Sequence, residues 1–119
     1  MRDGNSYYGV EPPYAITRHC AVVFQDKIWI IGGLIKNEEE VSYQTQILDN
    51  YYDYWYEGPE LIYGRWGHSC VVTESRFYNN AEVIVIAGGF GEYDGLIDSV
   101  EFMYDFKWSR GTYCLKKLI

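Results

Sequence analysis

Two short runs, KIWIIGG at residues 27–33 and VIVIAGG at residues 83–89, repeat one pattern within a chain of 119 residues. Each is a stretch of bulky or β-branched apolar residues closed by a glycine pair. A run without polar alternation reads as a strand covered on both faces. The glycine pair reads as a sharp exit past other backbones, because glycine accepts positive φ and has no Cβ. An internal repeat constrains the fold before any other feature does.

The repeat extends beyond the runs. Upstream, RHCAVVFQDK and RWGHSCVVTESRFYNNAE each give an arginine, a histidine, two small residues and Val-Val. Downstream, each glycine pair is followed by a polar loop, a strand-like stretch (QTQILD, DSVEFMYD) and a tryptophan, Trp55 or Trp108. Turn residues between short apolar runs are the mark of antiparallel meanders. The first unit therefore predicts strands at 20–24, 28–31, 45–48 and 54–57, and the second at 69–73, 83–87, 99–103 and 106–109. Gly32, Gly33, Gly88 and Gly89 are the expected structural exits. The rings of Trp55 and Trp108 are expected to fill the wedge between twisted sheets.

Composition supports a packed β domain. Hydrophobic residues make up 48% and aromatic residues 18%, with thirteen tyrosines and four tryptophans, which excludes disorder and favours strands. Seventeen acidic against ten basic residues give a net charge of −7. Nucleic acid and anionic membrane surfaces are both bound through Lys and Arg, so neither is an expected partner. No apolar run is long enough for a signal-peptide core or a spanning helix. The expectation is a soluble chain, of no assignable compartment but cytoplasmic if Met1 is its true start. Cys20, Cys70 and Cys114 are too few for a disulfide framework, although an oxidising compartment would allow one pair.

Chemistry-bearing motifs are weak throughout. His19 and Cys20 are adjacent on a strand and point to opposite faces. His68 and Cys70 share a face but lack zinc-ligand spacing. The simpler reading has the histidines bonding to backbone and the cysteines packing as small hydrophobes. Ser69 beside His68 has no orienting third group. GEYDGLIDSVE, with Glu92, Asp94, Asp98 and Glu101, lacks the calcium-loop pattern. The glycines at 88–91 lack the lysine and the helix of a phosphate loop. No catalytic residue, metal ligand or cofactor is expected, and the chain is not read as an enzyme.

RHCAVVFQDKIWIIGG…W and RWGHSCVV…VIVIAGG…YDFKW resemble the kelch repeat, a β-propeller blade of about fifty residues. The resemblance covers residues 18–108. It implies an all-β fold of two four-stranded antiparallel kelch blades, part of a β-propeller. Residues 1–17 would be the last strand of a preceding blade and its link, 18–61 and 62–110 the two repeats, and 111–119 a tail. The departures are the tyrosine that usually precedes the tryptophan, replaced by Leu48 in the first copy, and the TESRFYNNAE insertion in the second. Propellers close with about four to eight blades, and terminal repeats need polar caps, of which there is no sign. The chain is thus read as a fragment of a longer propeller, or else as a protomer that self-associates to complete a ring.

Kelch propellers mostly present loops to other proteins, many as substrate-recognition domains of ubiquitin-ligase adaptors. The resemblance accordingly implies a protein-interaction module. Its alternatives are a fragment of a galactose-oxidase-like enzyme, which needs copper and a cysteine-crosslinked tyrosine, and a purely structural segment. Alternating connections put the loops at 34–43 and 90–98 on one rim with the links at 12–18 and 58–66. The binding residues expected there are Tyr14, Arg18, Glu38, Glu39, Glu40, Tyr63, Arg65, Trp66, Glu92, Tyr93 and Asp94. Aromatics ringed by charge suit interaction hot spots, and the acids favour a partner with a basic segment. Arg18 and Arg65 equally suit a structural role, tying strands together near the centre. The opposite rim, with its long insertion, is the rival site.

Overall fold

The Val-Val and Gly-Gly runs of each unit lie side by side as antiparallel strands, and the rest of each unit adds two more. The computed structural model describes residues 16–35, 40–49, 51–92 and 95–111. Within them the chain is all-β: β1 (Cys20–Phe24), β2 (Lys27–Ile31), β3 (Leu34–Ile35), β4 (Glu40–Val41), β5 (Thr45–Asp49), β6 (Tyr54–Glu57), β7 (Ser69–Ser75), β8 (Ala81–Ala87), β9 (Val100–Tyr104) and β10 (Lys107–Gly111). The sheets β1-β2-β5-β6 and β7-β8-β9-β10 are antiparallel meanders, and β3 pairs with β4 as a small hairpin. Among the described residues no helix is long and apolar enough to cross a membrane. The expected partial unit at the N-terminus and the C-terminal tail fall almost wholly outside the described residues, as does Cys114.

Strand limits differ from expectation where a turn or a side chain intervenes. Asp105 and Phe106 both have positive φ, 56° and 59°, so they form the two-residue turn between β9 and β10, and Phe106 does not open the last strand. This is the primed turn whose twist suits hairpins. Gln25 and Asp26, at 51° and 65°, make the same turn between β1 and β2. β7 and β8 run further than expected, through the pair Ser75↔Ala81. The insertion thereby shrinks to the short 3₁₀ turn Arg76–Tyr78 and two asparagines with positive φ.

The two sheets meet face to face. The cross-strand row Val22, Trp29, Ile47 and Tyr56 of the first packs with the row Val72, Ile84, Met103 and Trp108 of the second. Trp108 is buried in this core, and its indole N–H donates to the Pro59 carbonyl at 3.1 Å. Trp55 is placed differently: its neighbour Tyr56 faces the core, so Trp55 points to the opposite face and is half-buried. Residues 83–86 of β8 are all buried, as an apolar run predicts. In β2 only Trp29 and Ile31 are, since Ile28 and Ile30 lie on the half-covered outer face. On the outer face of the second sheet, Tyr78 of the insertion stacks on Tyr104 (centroids 3.9 Å apart) and approaches Phe102. Cys20 and Cys70 form a disulfide between β1 and β7, the first strands of the two sheets, with Cα atoms 6.2 Å apart. Both cysteines also pack against the core.

The glycine pairs sit where the units adjoin. A Cβ on Gly33 would fall 2.7 Å from the Thr17 carbonyl oxygen and 3.0 Å from His19 Cβ. On Gly89 it would fall 2.6 Å from the Trp66 carbonyl oxygen and 3.0 Å from His68 Cβ. These are corresponding neighbours, so Thr17 and His19 occupy in the first unit the places of Trp66 and His68 in the second. By this alignment Arg18 corresponds to Gly67, both with positive φ, and the two arginines of the sequence repeat are not structural equivalents.

Candidate functional site

The link from β6 to β7 crosses the edge of both sheets and brings most of the described candidate residues to one rim. Its centre is Arg65. The side chain is fully buried, and it donates to Gly88 O (3.1 Å), Ser99 O (2.9 Å) and Glu101 Oε2 (2.8 Å). Glu101, also fully buried, accepts from the backbone N–H groups of Ile62 (2.7 Å) and Tyr63 (3.1 Å). The pair fastens the link to β9. Of the two roles the sequence leaves open for Arg65, its burial fits the structural one, because no partner can reach a side chain withdrawn from the surface.

His68 stands beside this tie. Its Nε2–H donates to the Ile31 carbonyl at 2.9 Å, joining the second unit to the end of β2. Burial, the largest influence, lowers its pKa to about 4 against an opposing push from that hydrogen bond. The ring is therefore neutral at physiological pH and acts as a backbone donor.

Trp66 and its surroundings form the exposed part of the rim. Trp66 exchanges two backbone hydrogen bonds with Phe90, and their rings stack with centroids 4.7 Å apart. The Arg18 guanidinium lies 5.7 Å from the Trp66 ring centre, within cation–π range. Tyr43 donates its hydroxyl to Glu92 at 2.6 Å. That bond, more than burial or the carboxylate's charge, raises the Tyr43 pKa above 10.0. Tyr63 is exposed, with Arg110 5.9 Å over its ring. Glu40 is exposed on β4. The structure thus gathers Arg18 and Trp66, and sets Glu92 and Tyr63 against residues that the sequence does not single out, Tyr43 and Arg110. Tyr14, Glu38, Glu39, Tyr93 and Asp94 lie outside the described residues.

The remaining chemistry is committed elsewhere. Cys20 and Cys70 are bonded to each other, so neither sulfur is available to a metal or to a tyrosine crosslink. Glu101 and Glu92, two acids of the candidate calcium stretch, are engaged by Arg65 and Tyr43. Among the described residues no three His, Cys, Asp or Glu side chains cluster to hold a metal ion. No protein-family model matches the chain, and no curated protein matches it.

Proposed function

We propose that the chain is a pair of kelch-type β-propeller blades that works as a protein-interaction module, with the rim around Trp66 as its docking surface. The observation that carries this reading is the matched seating of Gly33 and Gly89, each pressed against the strand entry of its own unit. Two stacked four-stranded meanders joined by a short link agree with it. The rim offers Trp66, Phe90 and Tyr63 as aromatic contact area beside Arg18, Glu40 and Glu92, the composition of an interaction hot spot. Its acids suit a partner with a basic segment.

The ring is completed by further blades, from a longer chain or from other copies of this one. In support, Gly32 is covered by Arg65 and His68 of the second unit, whereas among the described residues nothing lies within 4 Å of a Cβ placed on Gly88. Val71, on the same outer face, is 53% exposed. Affinity capture from cell extract, repeated with Trp66→Ala and with Glu40→Lys/Glu92→Lys, tests the docking surface. Each variant is expected to lower capture of the same partner at least tenfold. Undiminished capture by both, or stoichiometric copper in the purified protein, would overturn the reading.

A further inference from the structure

The opposite rim, where the hairpin turns lie, carries a groove of about 480 Å³ between the ends of the two sheets. Its floor is the buried side chains of Phe24, Trp29 and Met103, and its walls include Tyr56, Tyr104 and Phe106. Lys27, Glu82 and Asp105 are the charged residues of the lining, beside Gln25 and Ala81.

Phe106 is the informative residue. It holds φ at 59°, a conformation that bulky side chains rarely adopt, in a turn position usually filled by glycine. Burial does not account for it, since 53% of its surface faces water. Its ring leans edge-on against Trp29, with centroids 6.0 Å apart, and so stands at the mouth of the groove. The turn requires the positive φ but not the ring, and a bulky side chain held in such strain without burial tends to mark a binding site. Tyr104 beside it is braced by its stack on Tyr78, which keeps that wall in place.

Charge selects the occupant. Two carboxylates, Glu82 and Asp105, face one ammonium, Lys27, and neither acid has an ion-pair partner among the described residues. Asp26 adds a further carboxylate in the adjoining turn. An apolar floor, aromatic walls and an acidic mouth match a side chain with an apolar stem and a cationic head. We propose that this groove receives an arginine or lysine side chain presented by an extended peptide segment of a partner protein. The proposal rests on the reading of the chain as an interaction module, but it concerns the rim opposite Trp66.

The test is an NMR titration of the intact protein with three capped tripeptides, Leu-Arg-Leu, Leu-Gln-Leu and Leu-Glu-Leu. The arginine probe is expected to shift the Trp29 indole and Phe106 ring signals and to bind at least fivefold more tightly than the glutamine probe, less so as salt rises. Glu82→Gln/Asp105→Asn should abolish that preference. Phe106→Gly removes the ring while relieving the backbone, so binding should fall at least fivefold with the thermal midpoint unchanged or higher, and Phe106→Tyr should restore it. Equal binding of the three probes, shifts confined to other residues, or undiminished binding to Phe106→Gly would each overturn the proposal. A silent groove with partner capture still dependent on Trp66 removes the groove alone. Arginine binding with capture indifferent to Trp66 removes only the docking surface proposed above.

Discussion

The guanidinium of Arg65 lies 2.8 Å from the carboxylate of Glu101, and neither side chain has any contact with water. Taking one partner away strands a charge in a desolvated site, which generally costs about 3–5 kcal/mol. Arg65→Met and Glu101→Gln are each expected to lower unfolding free energy in urea by about that much. The double variant Arg65→Met/Glu101→Leu should recover part of the loss. Recovery is incomplete because Glu101 also accepts from Ile62 and Tyr63, whose N–H groups would lose that acceptor.

His68 ties stability to pH. Its folded pKa is about 4, below the 6.5 of an exposed histidine. Above pH 6.5 neither the folded nor the unfolded state binds this proton, so His68 confers no pH dependence there. As pH falls below 6.5 the unfolded chain takes up the proton first, and stability declines by about 3 kcal/mol by pH 4. The interval from pH 6.5 to 5 isolates the effect, since most carboxylates titrate lower. Urea melts of the native protein should weaken across that interval, and those of His68→Gln should stay flat. Equal slopes would mean that His68 is not buried as a neutral ring.

The disulfide between Cys20 and Cys70 spans a sequence separation of 50. Cross-linking a loop of that size removes unfolded-state entropy worth about 4 kcal/mol. Cys20→Ala/Cys70→Ala, or reduction with a thiol, should lower stability by an amount of that order. In a reducing compartment the two sheets would rely on the shared core and on the Arg65 tie. An unchanged urea midpoint on reduction would show that the link adds nothing to the folded state.

The eight strands of the two meanders are legible in the sequence because short apolar runs alternate with unambiguous turns, such as QDK before Ile28. The tie at Arg65 is less so. Arg65 and Glu101 meet across 36 residues of chain, and a lone acid in the apolar stretch VEFMY reads from sequence as a surface residue or a metal ligand. Its buried row, shared with Ile86, emerges only from the register Ile86↔Glu101. The equivalence of the arginines misleads for a different reason: Arg18 lies one residue before its histidine and Arg65 three before its own, so once the histidines are matched Arg18 falls opposite Gly67 and Arg65 has no arginine counterpart. The groove was beyond reach, because Trp29 and Phe106 come together only when the two sheets stack.

Trp55 and Trp108, alike in sequence, should differ in energetic weight. Trp108 is buried between the sheets with its N–H bonded to Pro59 O, so Trp108→Ala should cost about 3–5 kcal/mol. Trp55 lies half-buried on the outer face of the first sheet, and Trp55→Ala should cost about half as much. Denaturant melts of the two variants check this, and equal losses would place Trp55 in a core of its own.

The first glycines of the two pairs offer the sharpest comparison between units. Gly32 and Gly88 have similar positive φ, 67° and 75°, so a Cβ strains the backbone equally at both, by about 1–2 kcal/mol. Their surroundings differ. On Gly32 a Cβ would lie 2.7 Å from both the Arg65 carbonyl oxygen and His68 Cε1, whereas on Gly88 it meets no described residue within 4 Å. Backbone cannot yield cheaply, so Gly32→Ala should destabilise the isolated chain by at least about 2 kcal/mol more than Gly88→Ala. The excess measures how firmly the second unit seats on the first. If copies of the chain close a ring, a neighbour's strand entry seats on Gly88 in the same way, and Gly88→Ala becomes the variant that dissociates the assembly. Sedimentation of the native protein and of Gly88→Ala side by side reads this directly. An assembly of unchanged mass in the variant would mean that no unit of another copy docks there.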